Sequence, residues 1–125
     1  DADGNIVFQQ QPTVLRQVIK PETSKIMCRL IRSVVEEGTA KNARVSGYDI
    51  GGKTGTSEKQ PRGSDKRIAS FVGFAPANDP KVLGLVIIAK PTGVYYGGTI
   101  AAPVLQRIFK NILPYLGIET VESSI

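Results

Sequence analysis

Gly51-Gly52-Lys53-Thr54-Gly55-Thr56-Ser57 is the stretch whose conformation decides everything around it. Within residues 53–56 it offers a cation, two hydroxyls and an unshielded backbone. Read with the residues ahead of it, Gly47-Tyr48-Asp49-Ile50-Gly51-Gly52-Lys53-Thr54 spells the phosphate-loop pattern G-x-x-x-x-G-K-T letter for letter. That pattern needs a buried strand before it and a helix starting at the lysine, whose N-terminal N–H groups face the phosphates. Residues 41–46 make a poor buried strand, and Gly55, Pro61 and Gly63 would break a following helix. The rival reading is an edge strand lining a cleft. Alternate side chains then share a face, so Lys53 goes with Gly55 and Thr54 with Thr56. Gly55 lets a ligand approach the backbone, and a sheet edge can pair with an extended peptide. Lys53 would add positive potential for a carboxylate. Taken alone, Lys-Thr-Gly is a weak signal that any glycine-rich turn can carry.

Working outward, residues 48–57, 68–75 and 82–89 read as three strands. The last, V-L-G-L-V-I-I-A, is a nearly unbroken apolar run of the kind buried on both faces. Ala77-Asn78-Asp79-Pro80 is a turn, and a turn that short makes the flanking strands antiparallel. Upstream, Pro21 opens a helix with an apolar face at Ile26, Leu30, Ile31, Val34 and Val35, ending near Gly38. Before it, residues 6–8 and 14–19 are expected to form an N-terminal hairpin. Downstream, Gly97-Gly98-Thr99 leads into a second helix through Leu116, with Pro103 in its first turn and Pro114 and Gly117 ending it. Residues 119–125 are expected to form a loose tail. The sum is an α+β fold, an antiparallel sheet of three core strands plus the hairpin, packed with two helices.

Composition narrows the function. The chain has 125 residues, 41% hydrophobic and 22% charged, which suits one small globular domain. Its net charge of +5 is scattered, and the basic stretch at residues 59–67 has no aromatic residue to stack a base, which argues against nucleic acid. With one cysteine, Cys28, and no histidine, neither an internal disulfide, a Cys/His zinc site nor a His-dependent triad can form. Cys28 itself reads as a small buried hydrophobe. Asp1-Ala2-Asp3-Gly4-Asn5 fails as a calcium loop, because its glycine falls fourth and no glutamate closes the loop. No apolar run approaches the length of a membrane span.

Several separated motifs point the same way. Gly51-Gly52-Lys53-Thr54-Gly55-Thr56-Ser57, then Ala69-Ser70-Phe71-Val72-Gly73-Phe74-Ala75-Pro76-Ala77, closely resembles class B penicillin-binding proteins. Tyr95-Tyr96-Gly97-Gly98-Thr99-Ile100-Ala101-Ala102-Pro103-Val104, Tyr115-Leu116-Gly117-Ile118 and Glu37-Gly38-Thr39-Ala40-Lys41-Asn42-Ala43 are similar to the same family, in the same order. The match is best to the monofunctional division, elongation or sporulation enzymes of Gram-positive bacteria. One departure is Ala40, where the family often has glycine. The serine β-lactamases share Lys-Thr-Gly, but the Tyr-Tyr-Gly-Gly and Ala-Ala-Pro pattern fits the transpeptidases better.

The resemblance implies an incomplete serine β-lactamase/transpeptidase-like fold over residues 1–118. It implies a peptidoglycan D,D-transpeptidase that cross-links stem peptides ending in D-Ala-D-Ala and is acylated by β-lactams, on the extracytoplasmic face of the bacterial membrane. No cofactor and no metal belong to it. By the same resemblance Lys53 sets the electrostatics of the cleft. Thr54 and Thr56 bind the substrate's terminal carboxylate beside Gly55, and the Thr56 N–H is one of two oxyanion donors. The family's Ser-x-x-Lys nucleophile motif and its Ser-x-Asn motif are not found in this sequence. The expectation is therefore a C-terminal piece that is inactive alone, partnered by the remaining half of its domain or by a second copy of itself. The alternative is a non-catalytic interaction module that kept the fold.

Overall fold

The computed structural model describes residues 1–63 and 65–121. Helix α1 spans Pro21–Glu36, and a short 3-10 turn at Lys41–Ala43 follows it. Strands β1 (Gly51–Glu58), β2 (Arg67–Ala75) and β3 (Val82–Ala89) form one antiparallel sheet in the order β1-β2-β3. Helices α2 (Gly97–Ile100) and α3 (Ala102–Tyr115) close the chain. The expected second helix is thus split at Ala101. Pro103 has no N–H to continue the ladder, and the Val104 and Leu105 amides both turn to the Ala101 carbonyl.

The core lies between one face of the sheet and α3. Along β2 every second residue, Ala69, Phe71, Gly73 and Ala75, is buried, the period-two signature of a half-covered strand. Leu105, Phe109 and Leu113 recur along α3 and pack onto that face. Gly73 and Gly84 pair across β2 and β3 directly beneath Leu105. A Cβ at Gly84 would stand 2.5 Å from Leu105 Cδ1, so the bare backbone is what lets α3 sit this low. On the far side α1 reaches β1 through its C-terminal half, where Val35 is buried. Arg32 fastens it, pairing with Glu36 at 2.7 Å and with Asp49, just ahead of β1, at 2.8 Å. The N-terminal half of α1 projects, and Ile26 and Leu30 are exposed despite their helical spacing. Cys28 is half-buried, flanking a hollow shared with Phe74, Pro80 and Val82.

Two expectations are corrected. The N-terminal hairpin is absent: residues 1–20 carry no strand, and Ile6, Phe8, Val14 and Leu15 are exposed. A two-stranded ribbon with no apolar face to lie on is marginal, and Pro12 removes a ladder donor. Nor is β3 buried on both faces. It is the outer strand, and Leu83, Leu85 and Ile87 are 67%, 57% and 60% exposed. The apolar run is real, but nothing among the described residues covers its outer side. Of the expected tail, Val121 donates its amide to the Gly47 carbonyl at 2.8 Å, while residues 122–125 lie outside the described residues.

Candidate functional site: the β1 edge

Residues 53–56 lie in the middle of β1, and no helix starts there, which removes the phosphate-loop reading. The backbone direction of each residue follows from one hydrogen bond. Just beyond the strand the Lys59 amide donates to the Lys66 carbonyl at 2.8 Å. Bonded and non-bonded pairs alternate in an antiparallel ladder. In the observed register, Ser57↔Ile68, Gly55↔Ser70 and Lys53↔Val72 are therefore the bonded pairs. Thr54 and Thr56 turn their N–H and C=O groups the other way, out from the sheet along its β1 border. The Lys53 ammonium fits this, donating to the Thr54 carbonyl at 3.1 Å.

Side chains divide as the strand period requires. Thr54 and Thr56 share the α2 side of the sheet, and Lys53 lies on the other, exposed. The site is completed by α2. The Gly97 amide donates to Thr56 Oγ1 at 3.2 Å, which leaves the hydroxyl proton for another partner. A Cβ at Gly97 would collide with the Ser70 and Gly55 carbonyls, and one at Gly98 would meet the Thr39 carbonyl. Two glycines in succession thus let the turn lie on the strand. Asn42 Nδ2 holds it from the other side, donating to the Gly98 carbonyl at 2.9 Å.

The result is a cavity of about 320 Å³ walled by Thr39, Thr54, Thr56, Tyr96, Gly97, Gly98 and Thr99. Larger hollows lie under α1, lined by Val35, Tyr48 and Ile50 or by Cys28 and residues 77–80, but neither touches the β1 border. Of the residues singled out from the sequence, Thr54 and Thr56 line the cavity, Gly55 lies between them, and Lys53 stands across the strand from it. Thr39, Tyr96 and Thr99 were not foreseen as walls. The tyrosine packs against Tyr95, ring centroids 4.7 Å apart and planes tilted by 36°, and hydrogen bonding of its own hydroxyl toward that neighbour raises the Tyr96 phenol above its usual range.

An open sheet border beside a hydroxyl-lined cavity is an arrangement to which an extended peptide can add as a strand. Residues 3–113 match the penicillin binding protein transpeptidase domain, and the chain belongs to that family. It is 44% identical over 123 residues to stage V sporulation protein D of Bacillus subtilis, covering 95% of this chain and 19% of that protein. To a probable peptidoglycan D,D-transpeptidase, PenA of Neisseria flavescens, it is 41% identical over 126 residues, covering 93% of this chain and 32% of the relative. The apo transpeptidase domain of Burkholderia pseudomallei penicillin-binding protein 3 superposes with a TM-score of 0.76 at 37% identity, over 89% of this chain and 35% of that one. The chain thus spans about a third or less of the length of these proteins, and its sheet and helices form an incomplete transpeptidase fold.

Proposed function

We propose that this chain is the substrate-binding sheet portion of a peptidoglycan D,D-transpeptidase, with the nucleophile supplied by residues outside it. The observation that carries the reading is the border of β1, where Thr54 and Thr56 turn backbone groups outward beside two hydroxyls on one face. A stem peptide ending in D-Ala-D-Ala is extended and ends in a carboxylate. It would lie along this border, its carboxylate received by the Thr54 and Thr56 hydroxyls with Lys53 supplying positive potential. A serine hydroxyl from the rest of the domain attacks the penultimate D-Ala carbonyl carbon. The Thr56 N–H donates to the oxygen that becomes negative, a contribution of about 3 kcal/mol in comparable sites. The peptide C–N bond then breaks, the proton given up by the serine passes to the departing D-Ala nitrogen, and an amine of a second stem peptide takes the acyl group and returns a proton to the serine oxygen. A β-lactam presents the same carbonyl and carboxylate and stops at the acyl-enzyme. The same reading places the working protein on the outer face of the bacterial membrane. No helix among the described residues is long and apolar enough to cross a membrane.

The experiment is the second-order rate of acylation by a labelled penicillin in the longer protein that carries this segment. Lys53 is exposed and supports no packing, so Lys53→Ala should leave the far-ultraviolet circular dichroism unchanged. The rate should fall by about 100-fold or more, the scale of losing one preorganised electrostatic group. A rate within a few-fold of wild type would refute the assignment.

A further inference from the structure

Arg67 opens β2, one strand away from the cavity, and is not among its walls. Its guanidinium lies over the Tyr95 ring, 5.4 Å from the centroid. Tyr95 packs against Tyr96, and Tyr96 is a wall of the cavity. On its other side Arg67 Nη1 stands 3.8 Å from Glu58 Oε2, at the end of β1. Glu58 is itself engaged, since its Oε1 accepts the Gly63 amide at 2.9 Å. The backbone is pinned too: the Arg67 carbonyl accepts the Lys90 amide at 2.9 Å. One cation thus meets both a carboxylate on β1 and the ring of Tyr95, whose neighbour Tyr96 lines the cavity.

We propose that Arg67 is a positioning residue, which through Tyr95 sets the orientation of the Tyr96 ring at the cavity. This inference rests on the transpeptidase reading for what the cavity binds, but not for the contact itself. Arginine suits the task because its planar guanidinium stacks on a ring while its N–H groups reach a carboxylate. A lysine in its place keeps the charge and loses the plane. The field of Arg67 also favours the Tyr96 phenolate, opposing the larger effect of Tyr95, so removing the arginine should move that phenol further up.

The test has two arms. In the 125-residue chain, Tyr48→Phe and Tyr115→Phe leave the pair as the only tyrosines. On that background Arg67→Ala should weaken the near-ultraviolet tyrosine circular dichroism and shift the upper phenol titration to higher pH. Arg67→Lys should hold the titration near its starting point and still lose dichroism. In the longer protein, Arg67→Ala should weaken the initial binding of penicillin by about two- to fivefold, the scale of an exposed cation–ring contact. The limiting acylation rate should stay within about twofold, because the arginine meets no reacting group. Unchanged tyrosine spectra in Arg67→Ala would overturn the proposal. So would a fall in limiting rate with binding intact. A wild-type protein that takes up no penicillin would instead overturn the transpeptidase reading, with the spectral arm still deciding the contact.

Discussion

Gly97 shows how one absent side chain holds the site together. Its amide donates to Thr56 Oγ1, and its α-carbon lies against the carbonyls of Gly55 and Ser70. Those atoms belong to two paired strands and cannot step aside as a flexible side chain would. Gly97→Ala should therefore destabilise the fold by about 1–3 kcal/mol, the usual cost of forced overpacking. Chemical denaturation would measure it, and a variant as stable as wild type would show that α2 does not press on β1 this closely. The same residue marks the limit of what the chain's letters reveal. Lysine, two threonines and one glycine at residues 53–56 point away from a core strand, because no core would select them, though by themselves they are a weak signal for a site. Thr39, Tyr96 and Thr99 come from two other segments, and nothing in their own neighbourhoods marks them as walls.

At the scale of elements, β2 and β3 have the same apolar character and different surroundings. The strand between two neighbours buries one face completely, while the outer strand leaves three large aliphatic side chains in water. The letters of residues 82–89 specify a strand well, since β-branched and aliphatic residues cluster there between turn signals. They also ask for a cover on both faces, and that cover is not within these residues. Segments 6–8 and 14–19 are the opposite case, strand-like letters with no partner to pair with. The ladder argument applies to β3 as well. Arg67 and Lys90 form a bonded pair, so Leu83, Leu85 and Ile87 direct their amides and carbonyls outward. An aliphatic strand with an unblunted border associates with other chains. The isolated chain should scatter light as more than its 13.4 kDa at high concentration, and Leu85→Lys should return it toward that mass. A wild-type monomer under the same conditions would count against the idea.

At the scale of the whole molecule, the two borders of the sheet have different chemistry. The β1 border is glycine- and hydroxyl-rich beside a small cavity, suited to a ligand that comes and goes. The β3 border is aliphatic and broad, suited to permanent burial. We read the first as half of a catalytic cleft and the second as the surface on which the rest of the transpeptidase domain sits. The sequence was informative about this division because its motifs, though separated, agree with a single family. It could not reveal which side chains would wall the cavity, since that depends on how separated segments pack together. The most direct test is intact-mass and peptide-mapping spectrometry after exposure to a labelled penicillin. The 125-residue chain should gain no covalent adduct, and the longer protein should gain one on a serine outside this segment. An adduct on any residue of this chain, or none on the longer protein, would contradict the account.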